Sequence, residues 1–113
     1  MTTTKTRTAI YARSATDRQS GSGISNQLAA CEKIAQREGF EVVEKFCDEA
    51  TSGASIGRPG LGALVAAARS REVDAVLVAS LDRLSRDQVD LIVIIDELRS
   101  FGVQIVTVDG GVF

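Results

Sequence analysis

Between Asp74 and Ser80 the chain reads Asp74-Ala75-Val76-Leu77-Val78-Ala79-Ser80, five consecutive apolar residues with no polar alternation. A strand with one wet face alternates apolar and polar residues. This one does not, so both of its faces are covered, as in a parallel sheet flanked by helices. The next residues, Leu81-Asp82-Arg83-Leu84-Ser85-Arg86-Asp87, place two arginines three positions apart with a carboxylate beside the first. On a helical turn Arg83 and Arg86 share a face and can grip one anion. A guanidinium stays charged, and its planar fork matches the oxygens of a phosphate.

The same alternation of elements extends to both sides. Thr8–Arg13 is a short strand candidate, followed by a polar loop from Thr16 to about Gly23. Ser25–Glu38 carries Leu28, Cys31, Ile34 and Ala35 at helical spacing, with Gly39 as its stop. Phe40–Cys47 reads as a second strand, and the Gly-, Ser- and Thr-rich Asp48–Gly57 as a loop of functional length. Pro59 suits a helix N-terminus, with the stripe Leu61, Leu64, Val65 and Ala68 behind it. After the Asp74–Ser80 strand, Ser85 to Gln88 fits a capping box that opens a helix to about Phe101, and Val103–Val108 is a fourth strand. The order β-α-β-α-β-α-β predicts an α/β fold: a mainly parallel sheet of about four strands with helices on both faces, in three layers.

With 113 residues the chain is one domain, large enough to bury about two-thirds of its unfolded surface. Its net charge of −2 excludes a nucleic-acid binder driven by bulk positive charge. Any contact with DNA must come from local arginines or from another part of the protein. There is no histidine, so His-based triads are excluded, and Cys31 and Cys47 fit no metal-ligand or disulfide pattern. Both cysteines are expected to be reduced and buried in a cytoplasmic protein. No stretch approaches membrane-spanning length, and Met1–Lys5 lacks the apolar core of a signal peptide.

Four segments fall at strand ends or in the loops beyond them: Tyr11/Arg13/Ser14, Asp48 through Arg58, Asp82/Arg83/Arg86, and the helix start near Gln27. In a parallel sheet these carboxyl ends share one edge, so Arg13, Arg58, Arg83 and Arg86 are expected to converge on one phosphate. Such a cluster stabilises the added negative charge of a phosphoryl transition state. Taken singly, each arginine reads as a solvated charge, and Asp82 with Arg86 as a surface pair worth a few tenths of a kcal/mol. Ser20-Gly21-Ser22-Gly23 lacks the Gly-Lys-Ser/Thr ending of a phosphate-cradling loop and reads as a plain loop.

The strings Ala9-Ile10-Tyr11-Ala12-Arg13, Thr16-Asp17-Arg18-Gln19, Gln27-Leu28-Ala29-Ala30-Cys31, Phe46-Cys47-Asp48, Ser52-Gly53, Gly57-Arg58-Pro59-Gly60-Leu61 and Leu81 through Arg86 resemble the serine recombinase (resolvase/invertase) catalytic domain. The ending Gly102 through Phe113 continues the likeness, which is greatest to the large serine recombinases. The resemblance implies strand exchange on duplex DNA without metal or cofactor. A serine hydroxyl attacks a phosphodiester, forming a 5′-phosphoserine linkage and freeing a 3′-hydroxyl, and subunits rotate within a tetramer before the reaction reverses. By position, Arg13, Arg58, Arg83 and Arg86 would clamp the scissile phosphate, and Asp82 would orient them and assist proton transfer. Gln27 and Asp48 match supporting polar positions, and Tyr11 packs. Residues 1–113 would be the N-terminal part of a longer protein whose DNA-binding region lies elsewhere, self-associating as a dimer or tetramer.

One position departs from the family pattern Tyr-x-Arg-x-Ser-Thr. Here the order is Tyr11-Ala12-Arg13-Ser14-Ala15-Thr16, so Ala15 stands at the nucleophile position and a serine one place earlier. In a regular strand residue 15 shares a side with Arg13, whereas residue 14 points away. Three readings stay open: the chain bends early and Ser14 attacks; the site is impaired and the chain is an inactive module for DNA association or oligomerisation; or Thr16 supplies the hydroxyl, for which its β-branched stiffness suits it poorly. Geometry favours the second over the first.

Overall fold

A computed structural model describes residues 5–14, 23–49 and 58–113. The elements run β1 (Arg7–Ser14), α1 (Ile24–Glu38), β2 (Glu41–Glu49), α2 (Pro59–Arg69), β3 (Ala75–Val78), a single 3₁₀ turn (Leu81–Arg83), α3 (Gln88–Ser100) and β4 (Gln104–Thr107). The four strands form one sheet in the order β2-β1-β3-β4, and every pairing between them is parallel. The expected three-layer α/β architecture is therefore present.

Strand alternation divides the core. Ala9, Tyr11, Val76, Val78 and Ile105 pack on Leu64 and Ala68 of α2 and on Ile94 and Leu98 of α3. Ile10, Leu77 and Val106, on the opposite face, pack on Cys31, Ile34 and Ala35 of α1. The apolar run of β3 serves both layers, which is why it carries no polar residue.

The chain leaves β1 towards β2 on one side and later builds β3 and β4 on the other. Right-handed crossovers moving in opposite directions put α1 on one face and α2 and α3 on the other. That reversal lies between β1 and β3, and an open α/β sheet binds its ligand in the crevice outside the carboxyl ends there. Arg13 ends β1 and the Leu81–Arg83 turn follows β3, so both border this crevice.

Two features of β2 bear on the site. Pairing with β1 slips between Thr8↔Val42 and Ala9↔Glu44, leaving Val43 as an extra residue. Val42 accordingly packs with the α1 layer and Phe46 with the α2/α3 layer, although four residues apart. The strand also continues to Glu49, two residues beyond the expected Cys47. As β2 is an edge strand, Cys47 is exposed, whereas Cys31 is buried in the core. The expectation that both cysteines are buried is corrected for Cys47. At the other edge, β4 is covered by the chain's own return: Phe113 and Ile105 exchange backbone hydrogen bonds of 3.0 and 2.8 Å through a turn in which Gly110 has φ 100°.

A candidate active site at the carboxyl edge of the sheet

Asp48 organises one wall. The bulge at Val43 turns it to the Tyr11 face, where it is 7% exposed. Its Oδ1 accepts from the Gly60 amide at 2.7 Å, and its Oδ2 from the Leu61 amide at 2.9 Å and the Tyr11 hydroxyl at 2.7 Å. A carboxylate remote in sequence thus satisfies the first amides of α2, and its charge complements the positive end of that helix. Gly60 is required by this close approach, since a Cβ there would lie 2.6 Å from the Cys47 carbonyl oxygen. Burial, reinforced by the bond to Asp48, pushes the Tyr11 hydroxyl well above its ordinary pKa. It stays protonated, donates to Asp48 and offers its lone pairs to Arg58, whose Nη2 donates to it at 2.8 Å. The Arg58 guanidinium also lies 5.6 Å from the centre of the Tyr11 ring.

The arginines meet at the turn after β3. Arg13 donates through Nε to the Arg83 carbonyl at 3.0 Å and through Nη2 to the Asp82 carbonyl at 3.0 Å. Arg58 Nη2 donates to the same Arg83 carbonyl at 3.0 Å. In return, Arg83 Nη1 donates to the Arg13 carbonyl at 3.3 Å. Burial and then the neighbouring charges of Arg58, Arg86 and Arg83 lower the Arg13 pKa, although a guanidinium remains charged at any physiological pH. Among the described residues the Nε groups of Arg58 and Arg83 are buried without a hydrogen-bond partner.

The remaining candidates fall as follows. Gln27 is buried and bonds the main chain of Arg13 at both ends of its carboxamide. The Asp82 carboxylate accepts from the Ser80 hydroxyl. That bond, then the charges of Arg83 and Arg86, holds its pKa below the usual carboxylate range. Arg13 is oriented by main-chain carbonyls, and among the described residues no ion pair joins Asp82 to an arginine. Arg83 and Arg86 do not share a helical turn: Arg83 ends the 3₁₀ turn half-buried, and Arg86 is exposed ahead of α3. Ser14 is the last residue of β1, paired with Glu49 and on the strand face opposite to Arg13. Ala15, Thr16 and most of the two expected loops lie outside the described residues. Among those described, no cluster of three or more acidic, Cys or His side chains is placed to hold a metal ion, and no helix is long and apolar enough to cross a membrane.

Fold and site together define a doubly wound α/β domain in which Arg13, Arg58 and Arg83 converge at the switch point. Residues 8–112 match the family described as "Resolvase, N terminal domain", and the chain belongs to it, as a serine recombinase catalytic domain. A putative DNA recombinase of Bacillus subtilis (strain 168) is 38% identical over 104 residues, covering 90% of this chain and 20% of that protein. The transposon Tn3 resolvase of Escherichia coli is 36% identical over 102 residues, covering 90% of this chain and 50% of the relative. The chain therefore spans half or less of the length of these two proteins. Among solved structures, the N-terminal catalytic domain of TP901-1 integrase superposes with a TM-score of 0.82 at 30% identity, over 91% of this chain and 78% of that one. A resolvase family site-specific recombinase from Streptococcus pneumoniae gives 0.84 at 27% identity, over 96% and 76%.

Proposed function

We propose that this domain holds a DNA phosphodiester for strand cleavage and rejoining in site-specific recombination, and that Ala15 at the nucleophile position impairs the cleavage step. The carrying observation is the convergence of Arg13, Arg58 and Arg83 at the switch point, with the Nε groups of Arg58 and Arg83 unmatched among the described residues. A phosphodiester oxygen satisfies such donors, and Arg86, on the exposed side, adds charge as negative charge builds on phosphorus. Duplex DNA is the substrate, and further copies of the chain are its partners as dimer or tetramer. No cofactor or metal is invoked, because arginines supply the positive charge that stabilises the negative charge of a phosphoryl transition state.

The attacking hydroxyl is the missing component. Attack needs an oxygen about 3–3.5 Å from phosphorus and in line with the leaving group. Ser14 lies on the face opposite to Arg13, and the Ala15 methyl offers no oxygen. The test incubates the full-length protein with supercoiled DNA carrying its sites and looks for a protease-sensitive covalent protein–DNA adduct. The expected result is no adduct from the native protein and an adduct from Ala15→Ser. An adduct from the native protein that vanishes in Ser14→Ala would replace impairment by Ser14 attack. No adduct from Ala15→Ser, under conditions where DNA is bound, would overturn the recombinase reading.

A further inference from the structure

Pairing between β1 and β3 ends at Tyr11↔Val78, after which β3 turns away into the Leu81–Arg83 segment. Arg13 lies beyond that last pair, yet its peptide groups are satisfied. Its N–H donates to Gln27 Oε1 at 3.0 Å, and its carbonyl accepts from Gln27 Nε2 at 2.9 Å. One donor and one acceptor delivered to a single residue is what a neighbouring strand supplies in a parallel ladder. Gln27 is itself 3% exposed, and its own amide makes the first bond of α1, to the Gly23 carbonyl at 3.1 Å.

We propose that Gln27 is a positioning residue: its carboxamide acts as a surrogate peptide that extends the sheet by one residue and fixes the plane of Arg13. That plane sets the direction of the Arg13 guanidinium, which grips the carbonyls of Asp82 and Arg83. It also sets the Arg13 carbonyl, which Gln27 shares with Arg83 Nη1. Gln27 therefore closes a reciprocal lock between the end of β1 and the turn after β3. Its consequence for catalysis rests on the recombinase reading; the lock itself does not.

Two measurements on the full-length protein test this. In the first, Gln27→Met keeps volume but removes the two hydrogen bonds to the Arg13 main chain, and hydrogen exchange is followed along β1. Exchange at the Arg13 amide is expected to quicken at least tenfold, with Ile10 and Tyr11 unchanged. Unaltered protection at Arg13 overturns the proposal. The second uses the Ala15→Ser background, comparing single-turnover DNA cleavage with DNA affinity. Gln27→Met is expected to slow cleavage roughly ten- to a hundredfold, the scale of two buried hydrogen bonds, while affinity changes less than twofold. Gln27→Glu should be as slow at pH 8, where its carboxylate only accepts. It should approach the parent rate, measured at each pH, as the introduced carboxyl protonates and again presents one donor and one acceptor. A pH-independent deficit, or cleavage within twofold of the parent in Gln27→Met, overturns the positioning role. If the Ala15→Ser parent fails to cleave, the recombinase reading falls, and the exchange measurement still decides the lock.

Discussion

Asp48 accepts three hydrogen bonds from groups that belong to β1 and α2, the one from the Tyr11 hydroxyl buried and those from the Gly60 and Leu61 amides part-buried. Asp48→Asn keeps the size but replaces one acceptor oxygen by an NH₂ that faces another donor. The expected cost is about 1–3 kcal/mol, read from the urea midpoint at constant slope. Tyr11→Phe removes a single hydroxyl and should cost about 1 kcal/mol, while also releasing Arg58 from its acceptor. An equal loss in the two variants would show that Asp48 acts only through Tyr11. The residue types at this site were legible in the sequence, since Arg13, Arg58, Asp82, Arg83 and Arg86 stand at strand ends or in the loops beyond them. Their partners were not, because the acceptors that orient Arg13 are main-chain carbonyls, which every residue possesses and no motif marks. Gln27 stood out in the sequence only as a supporting polar position, and its partner was hidden for the same reason: a side chain bonded to backbone leaves no complementary residue type to find.

At the scale of elements, helix α3 shows how two adjacent polar residues compete for one cap. Ser85 and Asp87 both suit the start of a helix, and the sequence pattern favours Ser85 with Gln88. The structure places the cap at Asp87, whose Oδ1 accepts from the amides of Val89 at 2.9 Å and Asp90 at 3.3 Å. The Ser85 hydroxyl is spent on the Asp87 amide at 3.1 Å, so it stabilises the turn and not the helix. Asp87→Ala is expected to cost about 1 kcal/mol and Ser85→Ala less, measured by chemical unfolding. Strand β2 illustrates a different limit. A bulge adds one residue without a composition signal, and the extra Val43 turns Asp48 to the Tyr11 face, while the strand order puts β2 at an edge. Strand existence is written in local residue types, but edge or centre depends on strand order. Thiol labelling measures the outcome. Cys47 should react in the native protein, whereas Cys31, buried and with its pKa pushed up to about 12, should wait for unfolding. Labelling of both at one rate would contradict this placement.

Across the whole molecule, net charge and local charge point in opposite directions: the chain carries −2 overall, yet three guanidiniums share one edge of the sheet. Their donors reach the carbonyls of Asp82, Arg83 and Arg13. These bonds tie β1, the N-terminus of α2 and the turn after β3 together, so the pocket is also a junction of the fold. Anything bound there stabilises the native state as a whole, by an amount set by its concentration relative to its dissociation constant. At a dissociation constant of about 10 mM, 100 mM inorganic phosphate would add about 1.4 kcal/mol. That corresponds to a rise in Tm of roughly 4–8 °C for a domain near this size. Chloride at equal ionic strength separates site binding from screening, because it presents a single charge and no fork of oxygens to a guanidinium. Arg83→Ala removes a buried donor from the pocket, and the phosphate-dependent rise should fall by more than half in that variant. Arg37→Ala, on the exposed face of α1, should retain it in full. An equal rise in all three proteins would locate the effect in bulk solvent and separate the arginine junction from anion binding.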